Sequence, residues 1–260
     1  MLILLLGCST PSTPPDVQDN DFNPVRDTAF YDSGEADTDT DTDTDTDTDA
    51  DADADTDTDT DTDADTDVST TAEYDFSDGR SLLYVQVYKD PDAWASDLAH
   101  NHVMTAANWS GEATWDTADL SACAFSFQLD VADLVVDDTD MRAYVGYGDA
   151  LSNGDRSTIR DHMLASNQLN ASAHPRITFQ SSSCAGTLAK PKVKGTLKLA
   201  GESRQVEIPM TLKINQNGKL KADGSFTVKA TDFGFEPYEA YGGAVRNLNK
   251  MDIQFELLSK

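Results

Sequence analysis

The chain has 260 residues and a formal net charge of −28, from 47 acidic and 19 basic side chains. Residues 9–69 hold 22 of the acidic residues and one arginine, so the low isoelectric point describes this segment, whereas residues 70–260 are only mildly acidic. There is no basic stripe of the kind that binds nucleic acid. No apolar run approaches the roughly 20 residues of a transmembrane helix. We therefore expect neither a nucleic-acid partner nor a helical membrane span.

Residues 1–8 resemble the end of a bacterial lipoprotein signal, with Leu-Leu-Gly-Cys at residues 5–8 in the order of the lipidation box. The resemblance implies a lipid anchor on Cys8, and Ser9 after it favours the outer membrane. An export signal normally has a basic start and an apolar region of about 7–15 residues, and no Lys or Arg precedes Cys8 here. The alternatives are a true start further upstream, or an apolar N-terminus that carries an isolated thiol.

Residues 9–69 are predicted to be a disordered acidic linker. Aspartate occupies every odd position from Asp37 to Asp67, with Thr or Ala between. Such a segment cannot bury enough apolar surface to offset its ordering entropy, and its charges repel one another. Calcium binding is the alternative, but a calcium loop also needs a turn-forming glycine, and none occurs between Gly34 and Gly79. Weak association with cations stays open, and an extended spacer is the prediction.

Residues 70–260 are predicted to form one all-β domain, because large apolar side chains recur at every second residue of many short segments, as in Val206, Ile208 and Met210. Successive strand residues point to opposite faces, so each strand has one apolar face. The predicted strands are 81–88, 100–107, 109–116, 123–131, 175–183, 193–200, 204–214, 223–231 and 250–258, with one helix over 157–166. This pattern is typical of a closed antiparallel barrel of about eight strands with one short helix, or of a sandwich.

Two cysteines, Cys123 and Cys184, lie at the edges of predicted strands. In an exported protein, two thiols in one domain favour a disulfide. The alternative is two separate buried thiols.

Several segments of the domain, in their order and spacing, resemble the YceI family. They are residues 99–103 (AHNHV) with 109–111 (WSG), 160–164 (RDHML), 174–181 (HPRITFQS), 195–201 (GTLKLAG) with Val206, and 232–234 (DFG). The resemblance covers about residues 78–258 and implies a periplasmic, lipocalin-like barrel associated with polyisoprenoid lipids. The chain departs from the family pattern at Ala99, where a glycine is usual, and at Asn101, where an acid is usual.

A hollow barrel would bind an apolar chain, since burial of each CH₂ group contributes about 0.8 kcal/mol. Aromatic residues and small residues on the predicted inner face would leave room for the ligand. The predicted lining residues are Trp109, Gly111, Ala113, Trp115, Phe125, Phe127, Phe179, Leu197, Ile208, Met210, Phe226 and Phe255. A barrel filled by its own side chains is the alternative, because period-two patterning is the same in both.

A metal site is the rival hypothesis. His100 and His102 are two residues apart on a predicted strand, so their imidazoles would project from one face, as in zinc sites. The other interpretation is a hydrogen-bonded histidine near a strand end. For catalysis there is no Gly-x-Ser-x-Gly elbow, and neither domain cysteine has a histidine beside it. The cluster of Asp137, Asp138 and Asp140 is interpreted as a solvated loop.

These observations predict a non-enzymatic, cofactor-free barrel that binds, sequesters or transports a long apolar lipid of isoprenoid type in the bacterial cell envelope. The anchor on Cys8 would hold it at a membrane, with the outer membrane facing the periplasm or the cell surface as the expected place. The alternatives are a histidine-based metal-binding envelope protein, and a structural or stress-related barrel with a filled core. The oligomeric state stays open.

Overall fold

The computed structural model describes residues 70–148 and 150–260. The predicted lipoprotein signal with Cys8 and the predicted linker over 9–69 lie outside the described residues. Within the two described ranges, no helix has the length and apolar character needed to cross a membrane.

Strands make up most of the described chain, and two short α-helices accompany them. The strands are β1 (Thr71–Ser77), β2 (Leu82–Lys89), β3 (His102–Ala106), β4 (Ser110–Asp116), β5 (Ala124–Asp130), β6 (Leu134–Val136), β7 (Arg176–Thr187), β8 (Lys190–Leu199), β9 (Glu202–Ile214), β10 (Leu220–Val228), β11 (Glu239–Ala240) and β12 (Val245–Leu258). The helices are α1 (Thr139–Tyr144) and α2 (Asn153–Leu164). The prediction of an all-β domain is confirmed.

The strands form one curled antiparallel sheet in the order β1-β4-β5-β7-β8-β9-β10-β12-β2-β3-β6, with β11 added beside β12. The long strand β9 pairs with β8 through its first part and with β10 through its second, so it joins the two halves of the sheet. Residues 107–109 connect β3 near one end of this order to β4 near the other. Short connections of this kind curl the sheet around a common interior.

Closure into a barrel of about eight strands is not confirmed. The sheet has twelve strands, and in the described ranges no strand pairing joins its two ends, β1 and β6. The end strand β6 is only three residues long, and α2 packs against it. Arg160 of α2 donates a hydrogen bond to the carbonyl of Ala132 at 2.6 Å. A helix therefore covers this end of the sheet, which protects its backbone from pairing with another chain.

All nine predicted strands overlap an observed strand, but β1, β6, β11 and α1 were not predicted. The helix α2 begins four residues before its predicted start, at Asn153. Ser152 caps it, since its hydroxyl accepts the backbone N–H of Asp155 at 3.1 Å. Ile159, Met163 and Leu164 of α2 are partly buried and pack against the core.

Large aromatic side chains pack one part of the interior tightly. Gly195 on β8 leaves room for the ring of Phe179 on the neighbouring strand β7, because a Cβ at Gly195 would lie 2.5 Å from that ring. Gly224 on β10 does the same for the ring of Phe255 on β12. These two rings therefore occupy space in the interior that larger side chains at Gly195 and Gly224 would take.

The two domain cysteines are joined in the structure. Cys123, just before β5, forms a disulfide with Cys184 on β7, and their Cα atoms are 6.3 Å apart, within the usual range for such a bond. The bond closes a loop over a sequence separation of 61 residues. In the chain-entropy description a loop of this length stabilises the fold by about 4 kcal/mol.

Candidate functional site

An apolar cavity of about 190 Å³ lies inside the curled sheet. Apolar side chains from strands on both sides of the interior form most of its wall, among them Val85, Val87, Met104, Leu129, Leu197 and Met251. Ile159 and Met163 of α2 and the segment 235–238 cover it from one side. A cavity of about 150 Å³ with such a lining stays dry and holds a benzene-sized molecule, so this one accepts a larger apolar group.

A second, smaller cavity of about 70 Å³ lies beside the first. Leu83, Phe127, Phe226 and Ile253 line both cavities and therefore separate them. The ring of Phe127 stacks on Phe179, with ring centroids 6.3 Å apart and an interplanar angle of 19°. Four apolar residues, two of them aromatic, therefore lie between the two cavities.

A buried polar cluster lies at the wall of the larger cavity, around Asp137. The carboxylate of Asp137 is fully buried. Its Oδ1 accepts hydrogen bonds from the backbone N–H of Val103 at 3.0 Å and from Nη1 of Arg142 at 2.8 Å. Its Oδ2 lies 2.6 Å from Nδ1 of His102, and His102 lines the cavity.

The surroundings of Asp137 stabilise its ionised form. Burial by itself raises the pKa of a carboxyl group. The hydrogen bond and the electrostatic interaction with His102, together with the hydrogen bonds from the backbone of Val103 and from Arg142, outweigh this effect and lower the pKa of Asp137 below its usual value. Arg142 is itself buried, and its Nη1 also donates to the carbonyl of Asn101 at 2.8 Å. The cluster thus contains a buried ion pair with further hydrogen bonds.

Comparison with known families identifies the domain. The family model of the YceI-like domain matches residues 92–257, which is more than half of the chain. The chain belongs to the YceI-like family. The resemblance inferred from its motifs is confirmed. A search of curated proteins gave no match.

Several solved structures are similar to this YceI-like domain. BcnA of Burkholderia cenocepacia is 19% identical, with a TM-score of 0.52 over 69% of this chain and 96% of BcnA. A polyisoprenoid binding domain from Saccharophagus degradans is 12% identical, with a TM-score of 0.46 over 73% of this chain and 99% of that chain. The Campylobacter jejuni YceI protein is 18% identical, with a TM-score of 0.42 over 60% and 84%. At these identities the likeness to BcnA describes the fold alone.

The structure distributes the predicted lining residues of the YceI-like domain over three places. Phe127, Leu197 and Phe226 line the larger cavity. Ala113 and Trp115 line neither cavity and are buried in the packed core. The others line only the smaller cavity: Trp109, Gly111, Phe125, Phe179, Ile208, Met210 and Phe255.

Much of the wall of the larger cavity was not among the predicted lining residues. Met104 and Leu129 could have been included, because they lie on predicted strands and their inward direction follows from alternation with neighbouring residues. Phe235 and Pro237 belong to an irregular segment with no periodicity, so no sequence pattern indicates that they reach the cavity.

The interpretation of Asp137, Asp138 and Asp140 as a solvated loop is wrong for Asp137. Asp138 caps α1, since its carboxylate accepts the backbone N–H groups of Asp140 and Met141. Asp137 precedes this cap with a φ of 49°, which directs the chain from β6 into the helix. The carboxylate is thereby buried against Arg142, a partner that spacing alone does not indicate.

The structure separates the two histidines of the metal hypothesis. His102 is the first residue of β3 and binds Asp137 through Nδ1, whereas His100 precedes the strand and is exposed. Across residues 70–148 and 150–260, no group of three or more His, Cys, Asp or Glu side chains is arranged to hold a metal ion. The hydrogen-bonded histidine, the other interpretation of this pair, describes His102.

Proposed function

We propose that this YceI-like domain binds a long apolar lipid inside its curled sheet. The observation that carries the proposal is the apolar cavity of about 190 Å³ beside the further 70 Å³ behind Phe127 and Phe226. Burial of an alkyl or isoprenoid segment there would contribute about 0.8 kcal/mol for each CH₂ removed from water. Apolar walls supply this affinity without any specific contact.

The size of the cavity limits what enters without rearrangement. Sites for drug-sized ligands have volumes of about 300–1,000 Å³, and the larger cavity is smaller than this. A long chain therefore needs Phe127 and Phe226 to adopt other rotamers, so that both cavities become available. Side-chain rotation of this kind requires no movement of the strands.

Membership of the YceI-like family favours an isoprenoid-type chain as the ligand. We further propose that the domain acts in the cell envelope as a carrier or store, held at a membrane by a lipid on Cys8 and spaced from it by residues 9–69. In this role it would work by binding alone, without catalysis. Organic extraction of the purified full-length chain, followed by mass spectrometry, tests the ligand directly, and we expect an apolar molecule close to one per chain.

A cavity-filling variant tests whether that molecule occupies the proposed place. Ala230 lines the larger cavity and is buried, so Ala230→Phe should greatly reduce the extracted lipid. Ala118 is exposed and lines none of the cavities described above, and Ala118→Phe is the matched control that should retain it. Equal lipid content in a folded Ala230→Phe variant, or no lipid and no uptake of added isoprenoid by the natural chain, would contradict the proposal.

A further inference from the structure

The ring of His102 is held in one orientation by a carboxylate that can only accept hydrogen bonds. Oδ1 of Asp137 accepts hydrogen bonds from the backbone N–H of Val103 and from Arg142. Because the carboxylate is fully buried, its other oxygen, Oδ2, also needs a hydrogen-bond donor. Nδ1 of His102 lies 2.6 Å from this oxygen. The proton of the imidazole is therefore on Nδ1, because two acceptors would repel each other.

This arrangement leaves Nε2 of His102 as a hydrogen-bond acceptor. The ring makes no hydrogen bond in the described ranges other than the one to Asp137, and it lines the larger cavity. Asp137 also pairs with Arg142, so the hydrogen bond from Nδ1 of His102 is one of several that stabilise the buried carboxylate. A neutral imidazole with its proton on Nδ1 has a lone pair on Nε2.

The other polar side chains of the cavity wall differ from His102. The hydroxyl of Tyr84 donates to Gln254 at 3.0 Å, and the amide of Gln168 donates to the backbone carbonyl of Glu236 at 3.1 Å. His162 lies on α2, is exposed, and stacks on Tyr238 with ring centroids 5.0 Å apart. None of these three makes a hydrogen bond to a buried charge, and in the described ranges neither do Tyr238 and Asn247, the remaining polar residues of the wall. His102 differs from them in its hydrogen bond to the buried carboxylate of Asp137.

The strand register places His102 at the end of the larger cavity that is remote from the smaller one. His102 pairs with Val87 on β2, and the inward residues of β2 then continue through Val85 to Leu83, which lines both cavities. Four residues of strand correspond to roughly 13 Å at about 3.3 Å per residue. A lipid with its polar end at His102 therefore extends its tail toward Phe127 and Phe226.

We propose that Nε2 of His102 accepts a hydrogen bond from the polar end of the bound lipid, so that the site selects chains ending in a hydroxyl group over chains ending in an ether or a ketone. The inference rests on the proposed function, since it assigns the head group of the same ligand. An ether or ketone oxygen has no proton to donate, and its burial against the lone pair of Nε2 leaves two acceptors facing each other.

Geranylgeraniol and its methyl ether are suitable probes, because they share one chain and differ only in the donor. With the full-length natural chain, the alcohol should bind roughly 3- to 10-fold more tightly than the ether, as one hydrogen bond allows. His102→Phe should remove this preference and leave the affinity for the ether nearly unchanged. His100→Phe is the matched control, because His100 is exposed and lines neither cavity, and it should keep the preference.

The Asp137→Asn variant tests whether Nε2 of His102 acts as the acceptor. If His102 had only a structural role, this substitution would not change the relative affinities for the alcohol and the ether. The amide of asparagine can donate to Nδ1, which transfers the imidazole proton to Nε2 and converts it from acceptor to donor. An alcohol and an ether can both accept from that N–H, so their affinities should become equal while both still bind. In the unmodified protein, the ¹⁵N resonance of His102 Nε2 should shift on addition of the alcohol and not of the ether.

The outcomes separate this inference from the proposed function. Absence of binding by either probe to the natural chain would overturn the proposed function, and with it the inference. Equal binding of both probes, or tighter binding of the ether, would overturn the assignment to His102 and leave apolar binding intact. If Asp137→Asn does not fold, the probe pair and the ¹⁵N measurement on the natural chain decide the matter without it.

Discussion

The apolar wall of the larger cavity lies next to the polar cluster around Asp137, but the side chains of the two regions contribute to stability in different ways. The wall consists of many interchangeable side chains, each contributing through the area that it removes from water. The cluster consists of three side chains, His102, Asp137 and Arg142, whose hydrogen bonds require one geometry. Loss of one wall residue leaves a cavity, whereas loss of one cluster residue leaves a buried charge. The two regions should therefore respond very differently to substitution.

Removal of Arg142 should have the largest effect on stability. Arg142→Ala leaves the buried carboxylate of Asp137 without its cation, and such a loss destabilises a fold by about 3–5 kcal/mol. Arg176→Ala is the matched control, because Arg176 also pairs with an aspartate, Asp130, but both side chains are more than half exposed. The control should cost less than about 1 kcal/mol. Equal losses in urea unfolding would show that burial does not distinguish the two pairs.

A substitution in the cavity wall should destabilise the domain less than Arg142→Ala does, and it should change which length of ligand binds best. Phe226→Ala removes one of the rings that separate the cavities, and we expect a loss of about 2–3 kcal/mol, below the value for a fully buried Phe because Phe226 is only half-buried. The joined cavity should shift binding toward longer isoprenoid alcohols, measured over a series of chain lengths.

Phe125→Ala is the control for this shift. Phe125 is buried and lines only the smaller cavity, so its removal enlarges the interior without joining the two parts. Phe125→Ala should destabilise the domain at least as much as Phe226→Ala does. The length of the isoprenoid alcohol that binds most tightly should nevertheless stay closer to the length preferred by the natural protein. An identical shift in both variants would contradict the separating role of Phe226.

The smallest predicted effect is the acid dependence of the cluster. The pKa of Asp137 is lower in the fold than in the unfolded chain, where an aspartate titrates near about 3.9. The unfolded state therefore binds more protons between these two pKa values, and stability is lost as the pH falls through the folded value. Asp137→Asn should flatten this decline of the unfolding free energy below about pH 4.

The aspartate of the exposed pair is again the control. Asp130→Asn should retain the steep acid loss of the natural chain, because Asp130 is largely solvated and pairs only weakly with Arg176. If Asp137→Asn and the natural chain lose stability in parallel between pH 4 and 2, the carboxylate of Asp137 does not carry the acid dependence.

The strands of the wall were predictable because their signal is local. Alternation in Val206, Ile208 and Met210 follows from the two-residue repeat of a strand, whatever the rest of the fold does. The short strands β6 and β11 gave no such signal, since two or three residues are too few for a period. Membership of the YceI-like family was also visible, because its motifs keep their order along the chain.

The candidate site was predictable only in part. The prediction that Phe127, Leu197 and Phe226 face an apolar interior agrees with their place in the larger cavity. The position of Trp115 in the packed core was missed, since a residue on the inner face can meet either free volume or another side chain. Asp137 was misread because three acidic residues within four positions are usually solvated.

The amino-acid sequence by itself determined the all-β class, the inner faces of the long strands and the family, because each depends on residues close together or in a fixed order. Only the tertiary structure decided that β1 and β6, the two ends of the sheet, are not paired within the described residues, that Phe127 and Phe226 lie between two cavities, and that Asp137 meets His102 and Arg142. These features depend on how distant segments pack, and packing is set by volumes and contacts in three dimensions that a one-dimensional pattern does not contain.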